Sequence, residues 1–240
     1  MSAPRPSAEP APASDAGAGR ARTVVLVNPN TSRSTTAMMT AIARRTLGPS
    51  VRLRGVTVAR GPRMLTDPAA LRAATPEVVA AGRRALAAGD CAALLVAAFG
   101  DPGLDELRAV TDVPVVGIGE ASLLEASAAG TPFGIATTTL LLADAIAHRV
   151  ARLGLSPLFT GLRLTEGGPE RLASHPDSLR ESLAHAVEQC VVRDGARSVV
   201  IGGGPLAAAA ESLRPRFTIP LIAPVPAACR AAARLLKGTP

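Results

Sequence analysis

Short continuous apolar runs alternate along this chain with longer amphipathic segments. Apolar runs at 24–27, 92–98 and 198–201 each end in Gly, Pro or polar residues, and a helix-like stretch follows each break. A short apolar run bounded by turn residues is typical of a strand buried on both faces. Strands that alternate with helices predict an α/β fold with mainly parallel sheets.

The same pattern sets the expected element boundaries. Further strands are predicted at 51–58, 113–118, 133–136, 158–164 and 221–222, and helices at 34–46, 176–192, 205–213 and 226–236, with another ending at Arg152. Asp67-Pro68, Thr75-Pro76 and Asp101-Pro102 each place a capping residue before a proline. This order predicts three helix starts, because proline is tolerated at the first helical position.

Two stretches of the chain follow one plan. Residues 94–122 and 199–228 each contain an apolar run, a Gly/Pro break, a short helix-like segment and a second apolar run after Val-Pro or Ile-Pro. The segments that begin at Thr23 and Pro132 form a second matching pair. The repeat predicts two similar parallel-sheet lobes, related by a pseudo-two-fold axis, with the active-site cleft between them. We assign 23–110 and 200–240 to the first lobe and 111–199 to the second, and we expect the Ala/Pro-rich residues 1–22 to form a disordered tail.

The amino-acid composition limits the kinds of partner that the chain is expected to bind. Aromatic residues make up only 2% of the chain, with no Trp or Tyr, and the net charge of +7 comes mostly from dispersed Arg. Stacking on single-stranded nucleic acid needs aromatic platforms, so we predict no nucleic-acid partner. No apolar run is long enough to span a membrane, and the N-terminal residues have no apolar core of a signal peptide. We therefore expect a cytoplasmic protein, and the scattered Cys91, Cys190 and Cys229 predict neither a metal site nor a disulfide scaffold.

Candidate binding residues lie where the predicted strands end, because ligands of parallel sheets bind beyond the carboxyl ends of the strands. The first strand is followed by polar side chains suited to a carboxylate or imide at a helix start, and the fifth strand repeats the arrangement. After the seventh strand, glycines allow the backbone to approach a ligand and cradle an oxyanion. The candidates are Asn28, Asn30, Thr31, Ser32, Thr137, Thr138, Gly203 and Gly204. A helix cap or a tight turn is the alternative explanation for each group.

Five motifs together resemble the aspartate/glutamate/hydantoin racemase superfamily, and most of all its hydantoin and allantoin racemase branch. They are VNPNTS, AAFGDPGL, VVGIGEAS, FGIATTT and VVIGGGPLA, in that order. The resemblance implies two similar α/β lobes, a homo-oligomer and a cofactor-independent enzyme that moves a proton on carbon with two cysteines. It also implies that Ala98 and Gly203 occupy the positions of those cysteines, and that Ala98 and Phe99 line the substrate site.

Neither an Ala nor a Gly side chain can take up a proton, so another group would have to act as acid or base. Glu120 and Asp101 stand at predicted strand ends and are the catalytic candidates. Each also has a structural explanation: an ion-paired Glu120, and an Asp101 that caps the helix predicted from Pro102.

The sequence therefore predicts a cofactor-independent enzyme, isomerase-like or lyase-like, that acts on a small substrate bearing a carboxylate or amide. The predicted reaction is a thiol-independent cyclisation, elimination, decarboxylation or isomerisation. One alternative is a non-catalytic ligand-binding or regulatory relative. Another is a hydantoin or amino-acid racemase that uses bases other than cysteine.

Overall fold

A computed structural model describes residues 23–238 of the chain. The predicted tail at 1–22 lies outside the described residues. The strands are β1 (Thr23–Asn28), β2 (Arg52–Thr57), β3 (Cys91–Val96), β4 (Val115–Gly117), β5 (Phe133–Thr137), β6 (Phe159–Leu164), β7 (Ser198–Ile201) and β8 (Leu221–Ile222). The helices are α1 (Arg33–Leu47), α2 (Pro68–Ala87), α3 (Leu104–Arg108), α4 (Ile118–Ser127), α5 (Ala143–Arg152), α6 (Pro169–Ala173), α7 (Pro176–Val192), α8 (Ala207–Leu213) and α9 (Pro224–Gly238).

The strands form two four-stranded parallel sheets with the same topology. The strand orders are β2-β1-β3-β4 and β6-β5-β7-β8. Even the hydrogen bonds just beyond the central strands correspond: the Ala97 N–H donates to Val27 O (2.9 Å), and the Gly202 N–H donates to Ala136 O (2.8 Å). The prediction of two similar α/β lobes is confirmed.

The predicted division of the chain between the lobes is wrong. Strand β4 pairs with β3 in the first sheet, with Leu94 opposite Val115, although it was assigned to the second lobe. Strand β8 pairs with β7 in the second sheet, with Val199 opposite Leu221. Helix α9 then returns to pack on α1 and α4 of the first lobe. The strand pairings and the packing of α9 therefore place 23–127 and 224–238 in the first lobe and 133–222 in the second.

A continuous hydrophobic cluster joins the two lobes. It contains Leu26 and Ile118 from the first lobe and Phe133 from the second, all inaccessible to solvent. The Ser198 hydroxyl also donates to Ala126 O (3.0 Å), which fixes the start of β7 against the end of α4. Because the core is shared, burial of apolar surface stabilises the relative placement of the strand ends that face each other.

Two predicted helix starts are wrong. Helix α2 runs unbroken through Pro76, because its buried face, which includes Ala74, Val78 and Ala81, packs on the first sheet. That packing offsets the hydrogen bond that an internal proline removes. Helix α3 begins at Leu104 rather than at Pro102, and Gly103 precedes it in the left-handed conformation at φ 77°. Within 23–238, no helix is long and apolar enough to cross a membrane.

Candidate active site between the two lobes

A cavity of about 900 Å³ opens at the carboxyl ends of the central strands of both sheets. The segments that follow β1, β3, β5 and β7 all contribute to its lining. This is the place where ligands bind in parallel α/β folds. Of the predicted binding residues, those that line it are Asn30, Ser32, Ala98, Phe99, Thr138, Gly203 and Gly204.

The segment after β1 supplies an oriented amide. The Asn28 Nδ2 donates to Asn30 Oδ1 (2.8 Å) and to Thr36 Oγ1 (2.9 Å) beneath the cavity surface. The Ser32 N–H also donates to Asn30 Oδ1, at 2.9 Å. With its oxygen held from two sides, Asn30 presents its Nδ2 as a donor, and no group among the described residues accepts from it. Asn28 is a buried anchor and does not line the cavity.

Thr31 also lies off the cavity. Its N–H donates to Pro62 O (3.1 Å), so it ties the loop that follows β2 to the loop that follows β1. Ser32 caps α1 by accepting from the Thr35 N–H at 3.3 Å. Asn28 and Thr31 therefore hold the segment in place, while Asn30 and Ser32 line the cavity.

The segment after β5 mirrors that arrangement with hydroxyl groups. Thr137, the counterpart of Asn28 at the end of the strand, is buried and donates from Oγ1 to Gly202 O (2.6 Å). Thr138 and Thr139 line the cavity. Among the described residues, no group is paired with the Thr138 hydroxyl, so this hydroxyl remains available to a ligand.

Ala98 and Gly203 face the cavity from equivalent positions in the two lobes. Each is the second residue after its strand, β3 or β7, and each lines the cavity. A methyl group and a hydrogen atom therefore stand where a symmetric reaction would need two proton-transfer groups. The described cysteines do not line the cavity, and burial raises the pKa of both the Cys190 and the Cys229 thiol to about 12.

The ionisable residues in the described cavity lining are Arg63, Asp67 and Glu170. Asp67 caps α2, because its Oδ1 accepts from the Ala70 N–H at 2.8 Å. Arg63 and Glu170 are exposed residues of the loop after β2 and of α6. The part of the cavity formed by the strand ends is therefore polar but uncharged.

Asp101 lies outside the cavity lining and has a structural task. Its carboxylate accepts from the Gly119 N–H (2.9 Å) and the Glu120 N–H (2.7 Å) and so caps α4, not the helix predicted from Pro102. Gly119 is required there, because a Cβ would collide with the Phe99 carbonyl oxygen. Burial raises the pKa of Asp101 to about 7, although Arg149 and the two amides act in the opposite direction.

Glu120, in the first turn of α4, is held in an ion pair. Its two oxygens accept from the Arg108 guanidinium at 2.7 and 3.1 Å, and Arg149 approaches to 3.9 Å. The hydrogen bond with Glu120 raises the pKa of Arg108. Although the Asp101 N–H donates to Ala98 O (2.9 Å), neither of the two predicted catalytic residues, Glu120 and Asp101, lines the cavity.

Sequence reasoning missed the apolar part of the cavity. It is formed by the loop at 62–67 and by side chains from several helices, namely Met38, Met64, Leu65, Leu71, Leu142, Leu179 and Leu206. In the sequence, Met64-Leu65 could have indicated this apolar wall. Two apolar residues in a loop between a strand and a capped helix start are expected to pack against another apolar surface. The helical residues carry no such signal, since each fits an ordinary amphipathic pattern.

Comparisons with known proteins agree with this architecture. The model of the Asp/Glu/hydantoin racemase family matches residues 24–232. Hydantoin racemase from Paenarthrobacter aurescens is 28% identical over 213 residues, which cover 89% of this chain and 90% of that protein. Allantoin racemase from Klebsiella pneumoniae superposes with a TM-score of 0.84 at 25% identity, over 90% of this chain and 88% of that one.

Arylmalonate decarboxylase shares the fold at 18% identity, with a TM-score of 0.63 over 91% of this chain and 94% of that one. The match of the family model spans nearly all the described residues, and it includes every strand that borders the cavity. The chain belongs to the Asp/Glu/hydantoin racemase family.

Proposed function

We propose that this protein is a cofactor-independent enzyme of the family that works without thiols and decarboxylates a small acid in the cavity between the lobes. The observation that carries the proposal is the pair Ala98 and Gly203 at the equivalent ends of β3 and β7. The cavity retains oriented hydrogen-bond donors, but these two positions offer nothing that moves a proton.

Racemisation is disfavoured by the same pair. It requires one group to remove a proton from carbon and another to return a proton to the opposite face, each within hydrogen-bond reach. Glu120 does not line the cavity and is engaged by Arg108, so it is not placed to replace either group. A hydantoin or amino-acid racemase with non-cysteine bases therefore has no candidate base at the strand ends.

Loss of CO₂ is the reaction whose first step needs no base. In a malonate-type acid the bond between the central carbon and one carboxylate breaks, CO₂ leaves, and the electron pair remains as an enediolate. Donors fixed around the developing oxyanion stabilise it, and the Asn30 Nδ2 and the Thr138 hydroxyl are available for this. A proton from water then completes the product.

The other predicted reactions fit less well. Elimination, and isomerisation by proton transfer, remove a proton from carbon and meet the same lack of a base. Cyclisation remains possible for a substrate that carries its own nucleophile, since orientation alone lowers a barrier by several kcal/mol. A cytoplasmic location and a homo-oligomeric state remain predictions from the sequence.

A non-catalytic ligand-binding protein is the second candidate, and the uncharged strand ends favour it equally. The two are separated by incubating the protein with substituted malonates and measuring CO₂ release, with binding measured in parallel by calorimetry. We expect Asn30→Leu to abolish CO₂ release and Glu120→Gln to retain it. Binding without CO₂ release across the panel would support the binding protein and refute the decarboxylase.

A further inference from the structure

A second, smaller cavity lies beside the candidate active site, between α5 of the second lobe and the first lobe. Its volume is about 200 Å³. Helix α5 lines one side, and Leu71 of α2 and Leu123 of α4 contribute to the other. The residues that line both cavities are Leu71, Phe99, Gly100 and Leu142. The two cavities therefore share a wall, whereas the residues of α5 line only the smaller one.

The body of the smaller cavity is apolar. Its lining includes Phe99, Leu123, Leu142 and Ile146, and all four side chains are buried. An apolar cavity of about 150 Å³ in another protein is large enough to bind benzene. A volume of about 200 Å³ therefore suits a ligand with one ring or a short branched chain.

Positive charge is concentrated on the α5 side of this cavity. Arg149, Arg152 and His148 line it, and no carboxylate among the described residues does. The Arg149 side chain is only 16% exposed. Its Nη2 donates to Gly100 O (3.1 Å), and its guanidinium makes no other hydrogen bond within the described part of the chain. Because a guanidinium carries five N–H donors, most of the donors of Arg149 are free to meet a ligand.

The nearest carboxylates do not satisfy Arg149. Asp101 and Glu120 approach its Nη1 only to 3.9 Å, which is too long for a hydrogen bond. Glu120 instead accepts two hydrogen bonds from Arg108. Burial raises the pKa of Asp101 to about 7, so this residue carries only part of a charge at neutral pH. A largely buried cation without a hydrogen-bonded counter-ion is unfavourable, and an anion in the cavity would supply one.

We infer that this second cavity is a ligand site for a small carboxylate with a compact apolar body, of the size of benzoate. The carboxylate accepts hydrogen bonds from the Arg149 guanidinium, whose planar fork matches two carboxylate oxygens. Arg152, which is 54% exposed, adds positive charge at the solvent edge. The apolar body packs against Leu123 and Ile146. The site is separate from the proposed active site and does not depend on the proposed reaction.

The test is calorimetric titration of the full-length protein with benzoate at neutral pH. Benzamide has the same shape without the charge, and acetate has the charge without the ring. We expect benzoate to bind about tenfold or more tightly than either comparison ligand, because each of them lacks one of the two interactions.

Variants locate the bound benzoate. Ala145→Leu fills the smaller cavity from α5 and should weaken benzoate about tenfold or more, because an added isobutyl group occupies the space of the ring. Ala147→Leu is the matched control, an exposed alanine of the same helix that lines neither cavity. Arg149→Gln removes the charge and should also weaken benzoate about tenfold; it gives the same test if Ala145→Leu does not fold. Asn30→Leu alters only the larger cavity and should leave benzoate affinity unchanged.

The outcomes decide the inference in either direction. Benzoate binding that is weakened by Ala145→Leu or Arg149→Gln, and retained by Ala147→Leu and Asn30→Leu, would support a second site. Binding that is lost in Asn30→Leu and retained in Ala145→Leu would place benzoate in the larger cavity and overturn the inference. No binding of benzoate by wild type, or equal binding of benzamide, would overturn it as well.

Discussion

Replacement of Asp101 by Asn should change how the stability of this protein depends on pH. Asp101 is 2% exposed, and its carboxylate caps α4 through two backbone N–H groups. Asparagine retains one acceptor oxygen but sets an NH₂ donor against the second N–H. At pH 5 the folded Asp101 is a neutral acid, but its hydroxyl oxygen can still accept from the second N–H, whereas an amide NH₂ cannot. A buried amide left without an acceptor costs about 1–3 kcal/mol, so we expect Asp101→Asn to be less stable than wild type at pH 5.

The pH dependence of the free energy of unfolding gives a more specific expectation than the stability at one pH. Burial raises the pKa of Asp101 from 3.8 to about 7. Between these values the folded protein holds one proton that the unfolded chain has released, so the free energy of unfolding falls as pH rises. The slope is about 1.4 kcal/mol per pH unit, for a total on the order of 4 kcal/mol between pH 4 and pH 7. Asparagine does not titrate and removes this slope.

Urea unfolding at pH 5, 6, 7 and 8 measures the effect. We expect the stability deficit of Asp101→Asn to shrink by about 1.4 kcal/mol per pH unit up to pH 7. Asp105→Asn is the matched control, because the Asp105 side chain is 53% exposed on α3 and pairs with Arg152. If the free energies of unfolding of wild type and Asp101→Asn change in parallel from pH 5 to pH 7, ionisation of the buried Asp101 does not destabilise the fold as proposed.

Three other variants test the assignment of roles. Glu120→Gln breaks the ion pair with Arg108 at the start of α4 and should cost less than about 1 kcal/mol of stability, with CO₂ release unchanged. A large loss of turnover at unchanged binding would restore Glu120 as a catalytic candidate. Asn28→Ala removes the buried donor beneath Asn30 and should cost about 2–4 kcal/mol in urea unfolding, while an effect below 0.5 kcal/mol would contradict its role as an anchor (roughly,). Ala98→Cys with Gly203→Cys should introduce exchange of the carbon-bound proton of substituted hydantoins, followed by deuterium NMR. A Cβ atom added at position 203 would have side-chain atoms of Leu206 as its nearest neighbours, at 3.1 Å, and a leucine side chain can adjust.

The sequence predicted the α/β class and the parallel sheets because the signals for parallel strands are local. Strand β7 and helix α7 have the predicted boundaries, since each is an uninterrupted apolar or amphipathic run between clear turn residues. Lobe membership depends instead on which strands pair, and that is decided by contacts distant in the sequence. For this reason β4 and β8 were assigned to the wrong lobes although both strands were predicted.

Position at a strand end correctly predicted that the segments after β1, β3, β5 and β7 reach the cavity, but the segment after β4, with Glu120, does not. It did not predict which way each side chain points. Asn28 and Asn30 are two residues apart, yet one is an anchor and the other lines the cavity. Asp101 was expected to cap the helix that follows it, but it reaches the amides of Gly119 and Glu120 across the loop. Only the tertiary fold brings those amides near it, so no local pattern could predict the contact.

The most direct test of the central claim is exchange of the carbon-bound proton of substituted hydantoins and amino acids in D₂O, measured with the wild-type protein. The claim is that a racemase-family cavity with Ala98 and Gly203 at its symmetric strand ends binds its substrate without removing a proton from carbon. It predicts exchange no faster than in buffer, while calorimetry detects binding of a small acid or imide. Enzyme-dependent exchange by wild type would contradict it.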